Sequence, residues 1–378
     1  MAHKSLVDGT SYNITGGKSL VSGTAYNIKG GKTLVGGTGY DIKFTDDAYA
    51  MLYSDGDFAF QRGSEVADGK TLTNSYTGFE DTMYVSSSSV PWSTSINNIK
   101  NAYFVDEISP TSLSYWFYNA QNLQAANVDL LNCDNVTNMY GAYYSCYNLT
   151  GSPVCGNNVI NMANTYYGCS NLTGSPICGN SVTSMANTYR GCSNLTGSPV
   201  CGDRVTSMIL TYYNCRNLTG SPVCGENVVN MYSTYNCCYN ITGAPVCGNN
   251  VTSMYSAYYN CRNLTGSPVC GANVVNMNRT YYGCSNLSGN AYFYSNRISD
   301  VNRCFYGKSN SRMLNIYLPA NSTSLTTCLT NNTSSLLGRN CTWTDDMAAN
   351  GCYYNATLNI YLYPVENVEA ARLENESK

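Results

Sequence analysis

Residues 135–157 read NVTNMYGAYYSCYNLTGSPVCGN, and close copies of this 23-residue phrase follow one another as far as Leu287. The leucine of the phrase recurs as Leu149, Leu172, Leu195, Leu218, Ile241, Leu264 and Leu287, and its methionine as Met139, Met162, Met185, Met208, Met231, Met254 and Met277. A fixed period in the twenties marks a chain of stacked units, each too small to bury its apolar side without its neighbours. Such an array offers a long surface for holding things.

Within one unit, Val136, Met139, Tyr143 and Cys146 stand at steps of three, four and three, which places them on one face of a helical turn or two. Leu149, Ser152 and Val154 follow the frame L-x-x-L-x-L with serine in the middle, and predict a short strand paired with its copies. Pro153 and its copies lack an N–H, so that ladder should be short. The expected class is a mixed α/β repeat, with a short strand plus a helical turn in each coil.

The phrase NVTNMYGAYYSCYNLTGSPVCG resembles the BspA-type leucine-rich repeats of bacterial surface proteins, from about Ser109 to Gly307. The resemblance implies a leucine-rich-repeat solenoid over residues 108–306. Outside it, KSLVDGTSYNITGG, KSLVSGTAYNIKGG and KTLVGGTGYDIKF repeat every 14 residues from Lys4. Each places Leu-Val before a Gly-containing turn and Tyr-x-Ile after it, which reads as a hairpin at Asp8-Gly9, Ser22-Gly23 and Gly36-Gly37. Residues 1–44 thus form a β-rich region, residues 45–107 a small antiparallel β module, and residues 307–378 a small mixed C-terminal capping domain with a charged tail. The opening repeats, and the closing stretch from Asn315, look like tail-associated proteins of phages and prophages of gut Firmicutes. That resemblance implies a virion protein attached to other virion proteins through residues 1–44.

Charged residues make up 11% of the chain, against roughly 25% in an ordinary globular protein, and the net charge is −3. With 35 tyrosines the chain is nevertheless no disordered polymer. Its surface must be built from Asn, Ser, Thr, Gly and Tyr. Clustered Lys and Arg are absent, which argues against nucleic acid and against anionic membranes as partners. No apolar run is long enough to span a bilayer, and MAHKSLVDGT at the start lacks the apolar core of a secretory signal.

Most of the 19 cysteines obey the repeat. One row is Cys146, Cys169, Cys192, Cys215, Cys238, Cys261 and Cys284, and a second is Cys155, Cys178, Cys201, Cys224, Cys247 and Cys270. Buried free thiols acting as small hydrophobes are the expectation, with disulfides across each coil as the alternative. No CxxC pair points to zinc. The one histidine, His3, leaves a nucleophile without a base. Asp46-Asp47 and Asp345-Asp346 read as solvated turn residues, and no glycine-rich phosphate loop is present. No catalytic residue, metal or cofactor is expected.

What remains is a surface. The first tyrosine of each pair (Tyr143, Tyr166, Tyr189, Tyr212, Tyr235, Tyr258, Tyr281) never varies and should pack inward. The second position varies as Tyr144, Tyr167, Arg190, Tyr213, Asn236, Tyr259 and Tyr282. The position after methionine varies as Tyr140, Ala163, Ala186, Ile209, Tyr232, Tyr255 and Asn278. Tolerance implies exposure, so these rows are candidates for binding a host-surface glycan or protein through flat aromatic faces. Covering the coil, or contacting sister subunits, is the plainer role for the same tyrosines. The functional expectation is a non-enzymatic phage virion protein, tail or fibre associated. A bacterial surface adhesin and a structural head decoration or fibre are the alternatives. No heptad repeat appears, so a homo-oligomer would form through the β-rich ends.

Overall fold

The computed structural model describes residues 3–7, 10–14, 18–21, 24–27, 32–35, 38–41, 47–127, 131–330, 342–357 and 359–377. Contacts divide the chain into two units, Met1–Asp47 and Ala48–Lys378. In the first, each 14-residue repeat makes one antiparallel pair: β1 (His3–Val7) with β2 (Thr10–Ile14), β3 (Lys18–Val21) with β4 (Thr24–Asn27), and β5 (Lys32–Val35) with β6 (Thr38–Asp41). The registers Val7↔Thr10, Val21↔Thr24 and Val35↔Thr38 leave two-residue connections. The turn dipeptides themselves, Asp46 and the side chain of His3 lie outside the described residues.

The second unit holds two mixed sheets with a column of stacked coils. β7 (Ala48–Tyr53), β8 (Asp57–Arg62), β9 (Leu72–Tyr76), β10 (Asn101–Phe104) and β11 (Ala125–Asn127) form one sheet in the order β11-β10-β8-β7-β9. It is not the antiparallel module expected: β10 runs parallel to both β8 and β11. Parallel pairing follows from the coil, because β11 is the coil segment that leads into the column. Thr150 of the next coil donates its N–H to Gln124, just before β11. An aromatic cluster of Phe58, Phe60, Phe79, Trp92 and Trp116 joins this sheet to the column, with Phe60 stacked on Trp116 at 5.3 Å.

At the other end the coil segments straighten into strands. β12 (Val269–Cys270), β13 (Gly289–Phe293), β14 (Leu314–Pro319), β15 (Thr344–Asp346), β16 (Cys352–Asn355) and β17 (Ile360–Val365) make a sheet in the order β12-β13-β14-β17-β16-β15. Helix is confined, among the described residues, to short 3-10 turns and to α1 (Thr323–Thr330), α2 (Met347–Asn350) and α3 (Val368–Glu376). None is long and apolar enough to cross a membrane. The charged tail forms α3, capped by Asn367, whose side chain accepts the Ala370 N–H, and Arg372 pairs with Glu369 and Glu376.

The column is not the leucine-rich-repeat solenoid expected, because its coils lack the helical turn and, between β11 and β12, the strand as well. Each coil pairs with the next through a single β-bridge, in the series Asn138↔Asn161↔Ser184↔Ser207↔Asn230↔Ser253↔Asn276. The segment Leu149–Val154 is no strand; it contributes one backbone link per coil, such as Thr173 N–H to Gly151 C=O at 2.9 Å. Met139–Cys146 is a run of tight turns. The N–H groups of Met139, Gly141, Tyr143 and Ser145 donate to Asn161, Ala163, Thr165 and Tyr167 of the next coil at 2.9, 3.1, 2.8 and 2.6 Å. Between them, Ala142, Tyr144 and Cys146 donate three residues back. A helix would spend all these amides within the coil. Gly141 (φ 60°) and Ser145 (φ 57°) are also left-handed, and their copies include Asn164, Gly168, Asn187, Gly191, Asn214 and Asn260. Two left-handed residues in each run forbid a helix.

Candidate functional site

Five large apolar side chains of each coil recur at inward positions. Val136, Met139, Tyr143, Cys146 and Leu149, and their copies Leu172, Leu195, Leu218, Ile241, Leu264 and Leu287, are all buried in one continuous core. The inner tyrosine rings stack 5.3–5.7 Å apart, with planes within 10° of parallel, and the row continues into Phe117 and Phe305. A buried phenol needs a partner. Tyr166 finds it in Val154, accepting its N–H and donating to its C=O, both at 2.8 Å, and Tyr189 and Tyr212 repeat the pattern with Ile177 and Val200.

Every described cysteine is a free thiol. In the first row each donates to a carbonyl of the preceding coil: Cys146 to Phe117, and Cys169 and Cys192 to Tyr143 and Tyr166, all at 3.0 Å. Burial raises the thiols of Cys146, Cys192, Cys238 and Cys261 well above their ordinary range. The second row is half-buried from Cys155 to Cys224 and buried at Cys247 and Cys270; burial pushes Cys155 and Cys201 up to about 12. A reactive thiol needs the opposite shift. Among the described residues, no three His, Cys, Asp or Glu side chains are grouped to hold a metal. Asp345 and Asp346 serve their turn, accepting from Met347 N–H and from the Asn350 amide.

The first candidate row departs from free exposure. Tyr144, Tyr167, Arg190, Tyr213, Asn236, Tyr259 and Tyr282 are all half-buried. Their rings stack on one another: Tyr118–Tyr144 at 4.5 Å, Tyr144–Tyr167 at 4.4 Å, Tyr259–Tyr282 at 4.5 Å and Tyr282–Tyr306 at 4.6 Å. Arg190 takes a rung in the same stack, its guanidinium 5.2 Å from the Tyr167 ring and 5.0 Å from that of Tyr213. Within these runs each ring covers its neighbour's faces, so an approaching ligand meets edges and hydroxyls. In the row after methionine, Tyr232 and Tyr255 stack at 5.1 Å, Tyr140 meets Tyr115 edge-on at 5.3 Å, and Arg279 donates to the Tyr255 hydroxyl at 3.0 Å.

Comparison of the chain with family models, with curated proteins and with solved structures finds no match in any of the three.

A third outward row was not singled out from the sequence. It follows the core cysteine: Tyr147, Ser170, Ser193, Arg216, Tyr239, Arg262 and Ser285. Arg216 and Arg262 lie on the Tyr239 ring, 6.0 and 5.3 Å from its centre. The signal was available, because this position varies from coil to coil as freely as the other two. Elsewhere, a cavity of about 810 Å³ lies along the Cys-Gly turns and is walled by Glu226, Asn249, Tyr294 and Glu369. It contains none of the candidate residues.

Proposed function

We propose that the protein is a non-enzymatic recognition component of a phage particle, which holds an extended glycan or protein of the host surface against the outward rows of its coils. The supporting observation is the contrast between a constant frame and variable rungs. Inter-coil bonds repeat almost unchanged from coil to coil, while the three outward rows change among Tyr, Arg, Asn, Ser, Ala and Ile. A repeating polymer laid along such rows would make many weak contacts at a fixed step, and these add as avidity. Tyrosine edges, arginines and amides suit a polar polymer, with rigid rings that lose little entropy on binding. Attachment to other virion proteins through residues 1–44, and hence the virion location, rests on the resemblance of the flanking segments.

Adsorption of the purified full-length protein to intact host cells tests the reading. Saturable binding that is competed by isolated cell-surface polysaccharide or released by surface proteolysis is expected. Absence of saturable binding to cells and to every extracted surface fraction would overturn it.

A further inference from the structure

The outer stack is interrupted at one rung. Rings or a guanidinium fill it from Tyr118 to Tyr213, and rings fill it again from Tyr259 to Tyr306. Between Tyr213 and Tyr259 stands Asn236, the one rung too short to cover its neighbours. An asparagine ends at its amide, where a tyrosine ring would be only half built. Two coil spacings put the flanking rings roughly 9–10 Å apart. That gap admits one ring at the separation used elsewhere in the stack. Arg190 demonstrates the fit, because its planar group fills the equivalent gap between Tyr167 and Tyr213.

The surroundings are cationic. Segments 186–193, 209–216, 232–239 and 255–262 carry Arg190, Arg216 and Arg262 and no carboxylate. Arg216 donates through Nε to Asn214 Oδ1 at 2.9 Å, which holds it beside the rung of Tyr213. Arg262 shares the Tyr239 ring with it. Among the described residues, none of these three arginines pairs with an acid, and the side-chain amide of Asn236 has no hydrogen-bond partner.

We propose that the Asn236 notch is a binding site for one acidic sugar residue of a host-surface polysaccharide. This deepens the recognition reading above and rests on it. The pyranose slides between Tyr213 and Tyr259, presenting its axial C–H bonds to the electron-rich ring faces on which no ring or guanidinium stacks. Its hydroxyls meet the Asn236 amide, and its carboxylate meets Arg216 or Arg262 in charge-assisted hydrogen bonds. A neutral sugar gains the stacking but not the charge.

Calorimetric titration of the full-length protein with hyaluronan and polygalacturonate hexasaccharides, and with neutral chitohexaose, tests the site. At least one acidic probe should bind, more weakly as salt is raised, and at least tenfold more tightly than the neutral one. Asn236→Tyr completes the stack, so it should weaken that binding at least tenfold while leaving the thermal midpoint unchanged or higher. Arg216→Gln with Arg262→Gln should weaken it and flatten its salt dependence. Failure of both acidic probes, or equal binding by wild type and Asn236→Tyr, overturns the notch. If cell adsorption survives in Asn236→Tyr at full strength, the notch falls while the broader recognition reading stands; if wild type does not adsorb, that reading fails first.

Discussion

The inner tyrosine row contains its own control. The Tyr212 hydroxyl accepts the Val200 N–H at 3.0 Å and donates to the Val200 carbonyl at 2.7 Å. Tyr281 stands in the same row, its ring 5.7 Å from Tyr258 and 5.4 Å from Phe305, but its buried hydroxyl has no partner. The cause is local. The residue that would serve it, Val269, has entered β12, and its N–H goes to Pro245 instead. Tyr212→Phe therefore strips two backbone groups of their partner and should destabilise by about 1–3 kcal/mol, the cost of leaving such groups unmatched. Tyr281→Phe removes an unmatched polar atom and keeps the stacking, so it should be neutral or stabilise by about 1 kcal/mol. The two substitutions delete the same atom from the same row, so ring packing cancels between them. Urea denaturation followed by circular dichroism reads the difference as a shift in midpoint at constant slope. Equal losses at both positions, or a larger loss at Tyr281, would refute the hydrogen-bond assignment.

Outer rings are also structural. Tyr144→Ala removes a ring stacked on both sides, at 4.5 and 4.4 Å, and at about 0.5–1.5 kcal/mol per aromatic pair should cost about 1–3 kcal/mol; a thermal midpoint unchanged from wild type would contradict the stack. Stability should fall as pH rises past about 9. Burial holds Cys146, Cys192, Cys238 and Cys261, and the phenols from Tyr166 to Tyr281, far above their ordinary values. Only the unfolded chain then ionises, and each such thiol removes about 1.4 kcal/mol per pH unit above its unfolded value. Lys308, which burial lowers to about 8, works the other way between about 8 and 10.4, but one lysine is outweighed by the rows of thiols and phenols. Thermal midpoints measured under reductant from pH 7 to 11 check the sign, and a flat profile would contradict the burial. A thiol reagent at neutral pH should label the half-buried Cys155, Cys178, Cys201, Cys224 and Cys237 before any cysteine of the core row; mass spectrometry of the labelled peptides reads the order.

The period and the inward rows were legible because burial tolerates little change, and Val136, Met139, Tyr143, Cys146 and Leu149 recur almost unaltered. The conformation between them was misread. Steps of three, four and three between apolar residues suit a helical face, but they equally suit successive turns that each advance the chain by two or three residues. The deciding positions were the ones between the apolar residues. Residues two and six after the methionine are mostly Gly, Asn or Ser, the types that best accept a left-handed backbone. Leu210 (φ 55°), Cys237 (φ 62°) and Arg279 (φ 53°) break that composition and diluted the signal. The outer row was half legible. Variation at Tyr144 and its copies reported their outward position, but the contact of each ring with the next coil is a property of the stack, invisible in one phrase. Asn236 looked like one tolerated substitution among several. Only the stacking of the rungs on either side shows that it leaves a gap.

Each coil bonds to the coil before it and the coil after it through amides that belong to every copy of the phrase. Excising residues 182–204 would bring Val205 to the place of Val182, with Asn161 facing Ser207 as it now faces Ser184, and both end sheets undisturbed. Copy number is thus uncoupled from folding, and the chemistry of a rung is uncoupled from copy number. A sequence of this kind can lengthen, shorten or shuffle its outward letters by whole-unit recombination, much as type is reset in a frame, and keep a foldable chain at each step.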